Sequence, residues 1–371
     1  VALNHFDVVV VGGGLVGAAC AYELAAGATS VVVVDAHHPG RATDAGAGIL
    51  SPESFGPSPA ALLALADAAG DHYRALVPAL HDAGAPDPGF DVCGALRIAF
   101  REVDDPFYAE NRDVAFARHG DVLRDISADR ARELFPPLGD VRAAYVNPRG
   151  ARVDGRALTA ALVHAARLRR VEWRSGRVER LVVEHGRVAG VETDGGRIAC
   201  GAAVVAGGAW TPELASSVGL RVGVRPLRGQ IVHLRIEAKT DSWPLLQPVL
   251  SHYVVPWPEG RLALGATMED VGFDARPTIG GMRQLLAEGL RVAPGLADAT
   301  FLEVRAGLRP MSDDDLPILG PVPDVAGAFV ASGHGAEGLL LGPFSGRLVA
   351  AAVHGDAPAL DLAPFSPARL V

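Results

Sequence analysis

The 371-residue chain has little that would cross-link it or anchor it outside its own core. Cysteine occurs three times, at Cys20, Cys93 and Cys200, far apart and without CxxC or metal-ligand spacing. Such a sparse, odd set excludes a disulfide framework and points to reduced thiols, each read as a core residue. Positive charge is also short: 34 basic against 43 acidic residues leave −9. That excludes non-specific nucleic-acid binding, but not a small anionic ligand held by local arginines and backbone amides. No apolar run reaches the roughly 18–20 residues that cross a bilayer, so no membrane span is expected. The first residues, VALNHFDVVVV, lack the basic segment and cleavage pattern of a signal peptide. Cytoplasmic placement is the expectation. Internal repeats and low-complexity tracts are missing as well.

What is present suffices for a large core, in one large domain or two: 49% hydrophobic and 21% charged residues. FDVVVV (6–11) reads as a buried parallel strand, LVGAACAYELAAGA as a helix and SVVVVDA as a second buried strand. This is a βαβ unit, right-handed by default. At its first turn Gly12, Gly14 and Gly17 form G-x-G-x-x-G. The first glycine allows the tight turn, the second lets backbone approach a pyrophosphate, and the third lets the helix pack close. Free amides and the positive helix end then attract phosphate. Asp35 ends the second strand, where a carboxylate accepts from ribose hydroxyls.

The pattern calls for a dinucleotide, and the rest of the chain argues for FAD over a nicotinamide. No further βαβ units follow. Instead GRATDAGAGILSPES leads into an irregular region, with Pro-rich patches (PESFGPSP, APDPG) read as surface loops. Beyond the amphipathic helix ALTAALVHAARLRR (157–170) comes a meander of alternating valines with HG and DGG turns. It ends in Ala206-Gly207-Gly208 before Trp210, where backbone passes close to a ligand. Residues 225–267 read as further strands and MRQLLAEGLRVAP as a helix. A second Gly-rich stretch, SGHGAEGLLLGPFSGRLV, precedes the last helix. It lacks a preceding βαβ unit, a GK[ST] signature and a downstream ribose acid, so it is read as the far half of the first site. Pro343 is expected in the first turn of that helix.

Together these residues resemble the D-amino acid oxidase family of FAD enzymes, within it the glycine oxidase and sarcosine oxidase branch. The landmarks, in order, are VVVVGGGLVG with Asp35, TDAGAGIL, VVAGGAW, HYVVPWPEGRLALGATMEDVGFD, RAGLRPMSDDDLPILGP and SGHGAEGLLLGP. The resemblance implies an α/β fold: a discontinuous Rossmann-type FAD-binding domain (1–85, 145–224, 305–371) plus an antiparallel-sheet α+β substrate-binding domain (86–144, 225–304). Beside Gly12, Gly14, Leu15, Gly17 and Asp35, it implies a flavin contact for Thr43, Ala47, Gly48 and Ile49. It extends the same role to Ala206, Gly207, Gly208, Trp210, Gly307 and Arg309, and to Gly333, His334, Gly335, Gly338, Leu339 and Leu340. Val178 either offers backbone to the adenine or is simply a strand core residue. Covalent attachment through a C-terminal cysteine is excluded, because none follows Cys200. FAD is expected to be non-covalent.

On the substrate side the resemblance assigns Arg309 as the carboxylate anchor, a task suited to a planar guanidinium. The alternative for Arg309 is an ion pair with the Asp313–Asp315 run. Tyr253 would add a hydroxyl to the carboxylate, or pack as a core aromatic. Met268 would line the pocket or the core, and Ile49 would border the substrate. His252 and His334 are read as packing residues, since hydride transfer from Cα to flavin needs no base. One departure stands out: where glycine oxidases carry a second arginine, this chain has Ala336, followed by Glu337. Lost charge and opened space point to an N-substituted glycine, a secondary amine such as an N-carboxymethyl glycine, in place of glycine itself. Glu337 is expected to face solvent. The expected reaction is oxidation of a small-molecule amine or amino acid, with O2 as acceptor and H2O2 formed. Two alternatives remain, a D-amino acid dehydrogenase with another acceptor and a flavin-binding subunit without catalysis. Association as a homo-oligomer is compatible with the composition.

Overall fold

Strand β1 (His5–Val11), helix α1 (Leu15–Leu24) and strand β2 (Val31–Asp35) begin the computed structural model, which describes residues 5–370. Strands β1 and β2 are parallel, with Val8 opposite Val31. On its other side β1 pairs in parallel with Gly196–Val205, which continues to Ala328–Ser332. The chain thus leaves β1 toward one side and returns on the other, opening a crevice at its carboxyl end. The valine meander forms the antiparallel hairpins Val178–Glu184, Arg187–Thr193 and Gly196–Val205. Its last strand then switches to serve the parallel sheet.

Close packing around the first turn explains the glycines. Gly12 has φ +105°, and a Cβ there would lie 2.5 Å from the Ala206 carbonyl oxygen. A Cβ on Gly17 would overlap the Gly12 carbonyl oxygen. The last helix, Gly338–His354, lies against α1, and a Cβ on Gly346 would meet that of Ala19 at 2.7 Å. Pro343 sits beyond the first turn of this helix, which already begins at Gly338. Its missing N–H would leave the Leu339 carbonyl without an i+4 donor. The buried Tyr73 hydroxyl donates to that carbonyl instead. Among the described residues Gly335–His354 is also long and apolar enough to cross a membrane, contrary to the expectation from sequence. Its apolar residues Leu340, Leu341, Phe344, Leu348 and Val349 are buried in the core around α1.

The second sheet has the order Thr300–Ser312, Val224–Arg235, Arg261–Gly265, Tyr253–Pro256, Leu245–Pro248, Ala95–Ala99, Ala143–Asn147, Arg124–Ile126. Only Leu245–Pro248 and Ala95–Ala99 run parallel within it. The boundaries expected at 145 and 305 cut through Ala143–Asn147 and Thr300–Ser312, strands that belong wholly to this sheet. Alternation divides its faces. Leu96, Ile98, Val232, Leu246, Val254 and Leu264 form a core with Leu285 and Val292 of the helix Ile279–Val292. Ala95, Ile231, Leu245, Val255 and Ala263 point the other way, toward Ala47 and Ile49. PESFGPSP is not wholly a surface loop: Pro52–Ser54 is a buried 3-10 turn, tied by Asn147 Nδ2 to Glu53 Oε2 at 3.0 Å.

Candidate active site

The crevice and the inner face of the second sheet enclose one continuous cavity of about 610 Å3. At one end Gly14 precedes the first residue of α1 and offers no side chain to cap it. Thr43 Oγ1 accepts from Leu15 N at 3.2 Å, and the Gly-rich turn otherwise lines the cavity with backbone. Asp35 stands beside Gly13, where a Cβ would lie 2.9 Å from its Oδ2. His37 N (3.2 Å) and Arg41 Nη1 (2.9 Å) donate to the Asp35 carboxylate. Val178 and Trp210 are on the wall here, and Trp210 stacks on His38 at 4.5 Å between centroids. Ala47, Gly48, Ile49, Ala206, Gly207, Gly208, Gly307, Gly333, His334, Gly335, Gly338 and Leu339 line the middle.

Three expected site residues are not on the wall. Gly17 acts through packing alone. Leu340 is buried in the core of the last helix. Met268 is 65% exposed, a correction with a simple cause. Thr267 turns inward to Gln230 N (2.9 Å) and Glu269 back to Arg228 (2.6 Å), so Met268 between them points outward.

At the other end Arg309 reaches across its neighbouring strand. Its guanidinium lies over Gly229, where a Cβ would come within 2.5 Å of Cζ, Nη1 and Nη2. Arg309 Nη1 donates to the Thr267 carbonyl at 2.9 Å. The Tyr253 hydroxyl lies over Gly265, in the field of the Arg309 guanidinium. Burial pushes the Tyr253 phenol up to about 12, so it stays a neutral donor. Asp314, one of the run that might have neutralised Arg309, pairs instead with Arg369 Nε at 2.7 Å. His334 is buried on the wall and burial lowers it to about 4; its Nε2 has no partner. His252 is off the wall, with its Nε2 3.4 Å from Gln284 Nε2.

Glu337 does not face solvent. It lines the cavity, where burial raises its pKa against the opposing fields of Arg309 and Arg97. The 3-10 turn Gly335–Glu337 directs it inward while leaving Ala336 exposed beside it. Arg97, Gln247 and Gly229 also line this end, and sequence reasoning missed all three. Gly229 carried a signal: a lone glycine inside a strand marks close approach by another group.

A family model described as FAD dependent oxidoreductase (DAO) matches residues 7–352. The chain belongs to this family. It is 38% identical over 368 residues to the uncharacterized oxidoreductase YurR of Bacillus subtilis (97% of this chain, 98% of the relative). It is 34% identical over 369 residues to a glycine oxidase of Pseudomonas aeruginosa, with the same coverage. The iminodiacetate oxidase IdaA from Chelativorans sp. BNC1 superposes with a TM-score of 0.92, at 36% identity, over 97% of this chain and 99% of that one.

The cofactor of the family is FAD, and the cavity of this DAO protein fits it. Apart from Leu15 N, which Thr43 holds, the backbone of the Gly-rich turn at the start of α1 suits the diphosphate, and the Asp35 carboxylate suits a ribose diol. Gly208 has φ +55° with open space where a Cβ would be, so backbone presents a flat wall. His334 Nε2 is a buried polar atom still lacking a partner there. None of the three cysteines is on the wall.

Proposed function

We propose that this FAD-dependent oxidoreductase oxidises the Cα–N bond of an N-substituted glycine, using O2 as acceptor. The observation that carries this reading is Arg309, held by Gly229 and Thr267 beside Tyr253, at the far end of the FAD-type cavity. A carboxylate there accepts a forked pair of charged hydrogen bonds from Arg309 and one from Tyr253. Two anchored oxygens fix the Cα–H direction, the main demand of such a reaction. FAD, when bound, supplies the acceptor for a hydride from Cα and passes the electrons to O2. Ile49 and the backbone of Ala47 and Gly48 cover the reacting region from the loop side. The imine product takes up water, so amine, O2 and water give glyoxylate, the smaller amine and H2O2.

Ala336 supports the preference for a substituted nitrogen. Its methyl group at the cavity edge leaves room that a longer side chain would fill. Similarity to both a glycine oxidase and an iminodiacetate oxidase is consistent with a glycine-like core and an open substituent. The test is anaerobic bleaching of the holoenzyme with glycine, sarcosine, longer N-alkyl glycines, N-carboxymethyl glycine and D-amino acids, followed by admission of O2. Bleaching by N-substituted glycines and rapid O2 recovery with H2O2 support the reading. Bleaching by D-amino acids alone, or no recovery with O2, refutes it.

A further inference from the structure

Among the described residues Arg97 and Arg309 are the two guanidiniums on the cavity wall whose fields act on Glu337. Arg97 stands on the inner face of Ala95–Ala99, beside Gln247 in parallel register and Tyr145 in antiparallel register. Of its five N–H groups, one on Nη2 reaches Asn111 Oδ1 at 3.1 Å, and Nε is buried with no partner. Among the described residues neither Arg97 nor Arg309 forms an ion pair with a carboxylate. Glu337 lies in the field of both without closing on either. Gln247 Oε1 is likewise buried without a donor, and its residue shares the cavity wall with Arg97.

A buried cation with unused donors is costly unless something completes it. A purely structural arginine in this place would be expected to close on Glu337. Arg97 instead lines the same cavity as Ala336 and Glu337. We infer that Arg97 forms a second anion subsite, so that the preferred substrate carries a carboxylate on its nitrogen substituent as well as the one held by Arg309. This inference rests on the reading of the protein as an N-substituted glycine oxidase. Such a substrate has two carboxylates around one ammonium, which complements two guanidiniums around the Glu337 carboxylate. Gln247 Oε1 offers an acceptor to the amine or to a donor on the substituent. Arg97 is then a specificity residue: it takes no part in the bond changes at Cα.

The experiment compares N-carboxymethyl, N-(2-carboxyethyl) and N-(3-carboxypropyl) glycine with their neutral carbamoyl isosteres on the holoenzyme. The wild type should favour at least one acid over its isostere. In Arg97→Gln that ratio of kcat/KM should fall roughly ten- to a hundredfold, chiefly through KM. Arg97→Lys, which keeps charge but loses the fork, should fall between. Binding of the acids as seen by perturbation of the flavin absorbance should weaken in parallel, a readout that a folding defect would not confine to the acids. If the wild type oxidises the neutral isosteres but favours none of the acids, the Arg97 subsite is wrong and the general reading survives. If both variants keep the wild-type ratio, the subsite is likewise overturned. If the wild type oxidises none of the substituted glycines, both inferences fail.

Discussion

Gly229→Ala tests whether a bare strand position holds the substrate anchor in place. The added Cβ would lie 2.5 Å from three guanidinium atoms of Arg309. Non-bonded carbon contacts relax to about 3.5 Å, so the guanidinium must retreat by about 1 Å. The strand cannot yield instead, because Val224–Arg235 pairs with Thr300–Ser312 along its whole length, with Gly229 opposite Gly307. Retreat costs the bond to the Thr267 carbonyl and the contact with Tyr253. Misplacing a positioning group by about 1 Å lowers rates on the order of 10²-fold. One charged hydrogen bond, about 1.5–3 kcal/mol, gives a similar range. The expected outcome is a roughly hundredfold lower kcat/KM with FAD still bound. Thermal stability should barely change, since the displaced atoms end a flexible side chain. Stopped-flow reduction, FAD content and a melting curve measure these. In the double variant with Arg309→Ala the loss should not grow further, because both changes remove one interaction. Kinetics within about threefold of wild type, or a fall that follows loss of FAD, would refute the reasoning.

Arg309→Ala should raise KM sharply while FAD remains bound, and unchanged steady-state kinetics would remove its anchoring role. Ala336→Arg should shift preference toward glycine and away from bulky N-substituents, checked by ratios of kcat/KM across the substrate series. The rate should climb with pH as the substrate amine loses its proton, with no break from Tyr253 below about 12. His72, His233 and His334 are each lowered by burial to about 4 from 6.5. Between those values the unfolded chain binds more protons, so stability is full above pH 6.5 and is lost as pH falls toward 4. Melting curves across that interval should show it, and a flat profile would contradict it.

The residues of the nucleotide end were legible because their constraints are local. Gly12, Gly14 and Gly17 share one turn, Asp35 follows one helix later, and a βαβ unit is readable over about thirty residues. Leu340 and Pro343 already lie at the limit of such reading. Their roles depend on where the last helix starts and on Tyr73, brought in from a distant helix.

By itself the sequence determined the dinucleotide crevice, the family and the candidate anchor Arg309, since each rests on a short ordered pattern. Tertiary structure alone decided which way the substrate-end residues point. On a strand, a one-residue change of phase turns a side chain from cavity to solvent, and phase is set by pairing between distant segments. That phase puts Arg97 beside Gln247, partners 150 residues apart, on the inner face with Tyr253. Just past a strand end, pairing of Glu269 with Arg228 likewise leaves Met268 outward. Glu337 illustrates the same limit in a loop. A lone carboxylate in a Gly-rich turn favours water until the turn is closed against Met311 and directs it into the cavity.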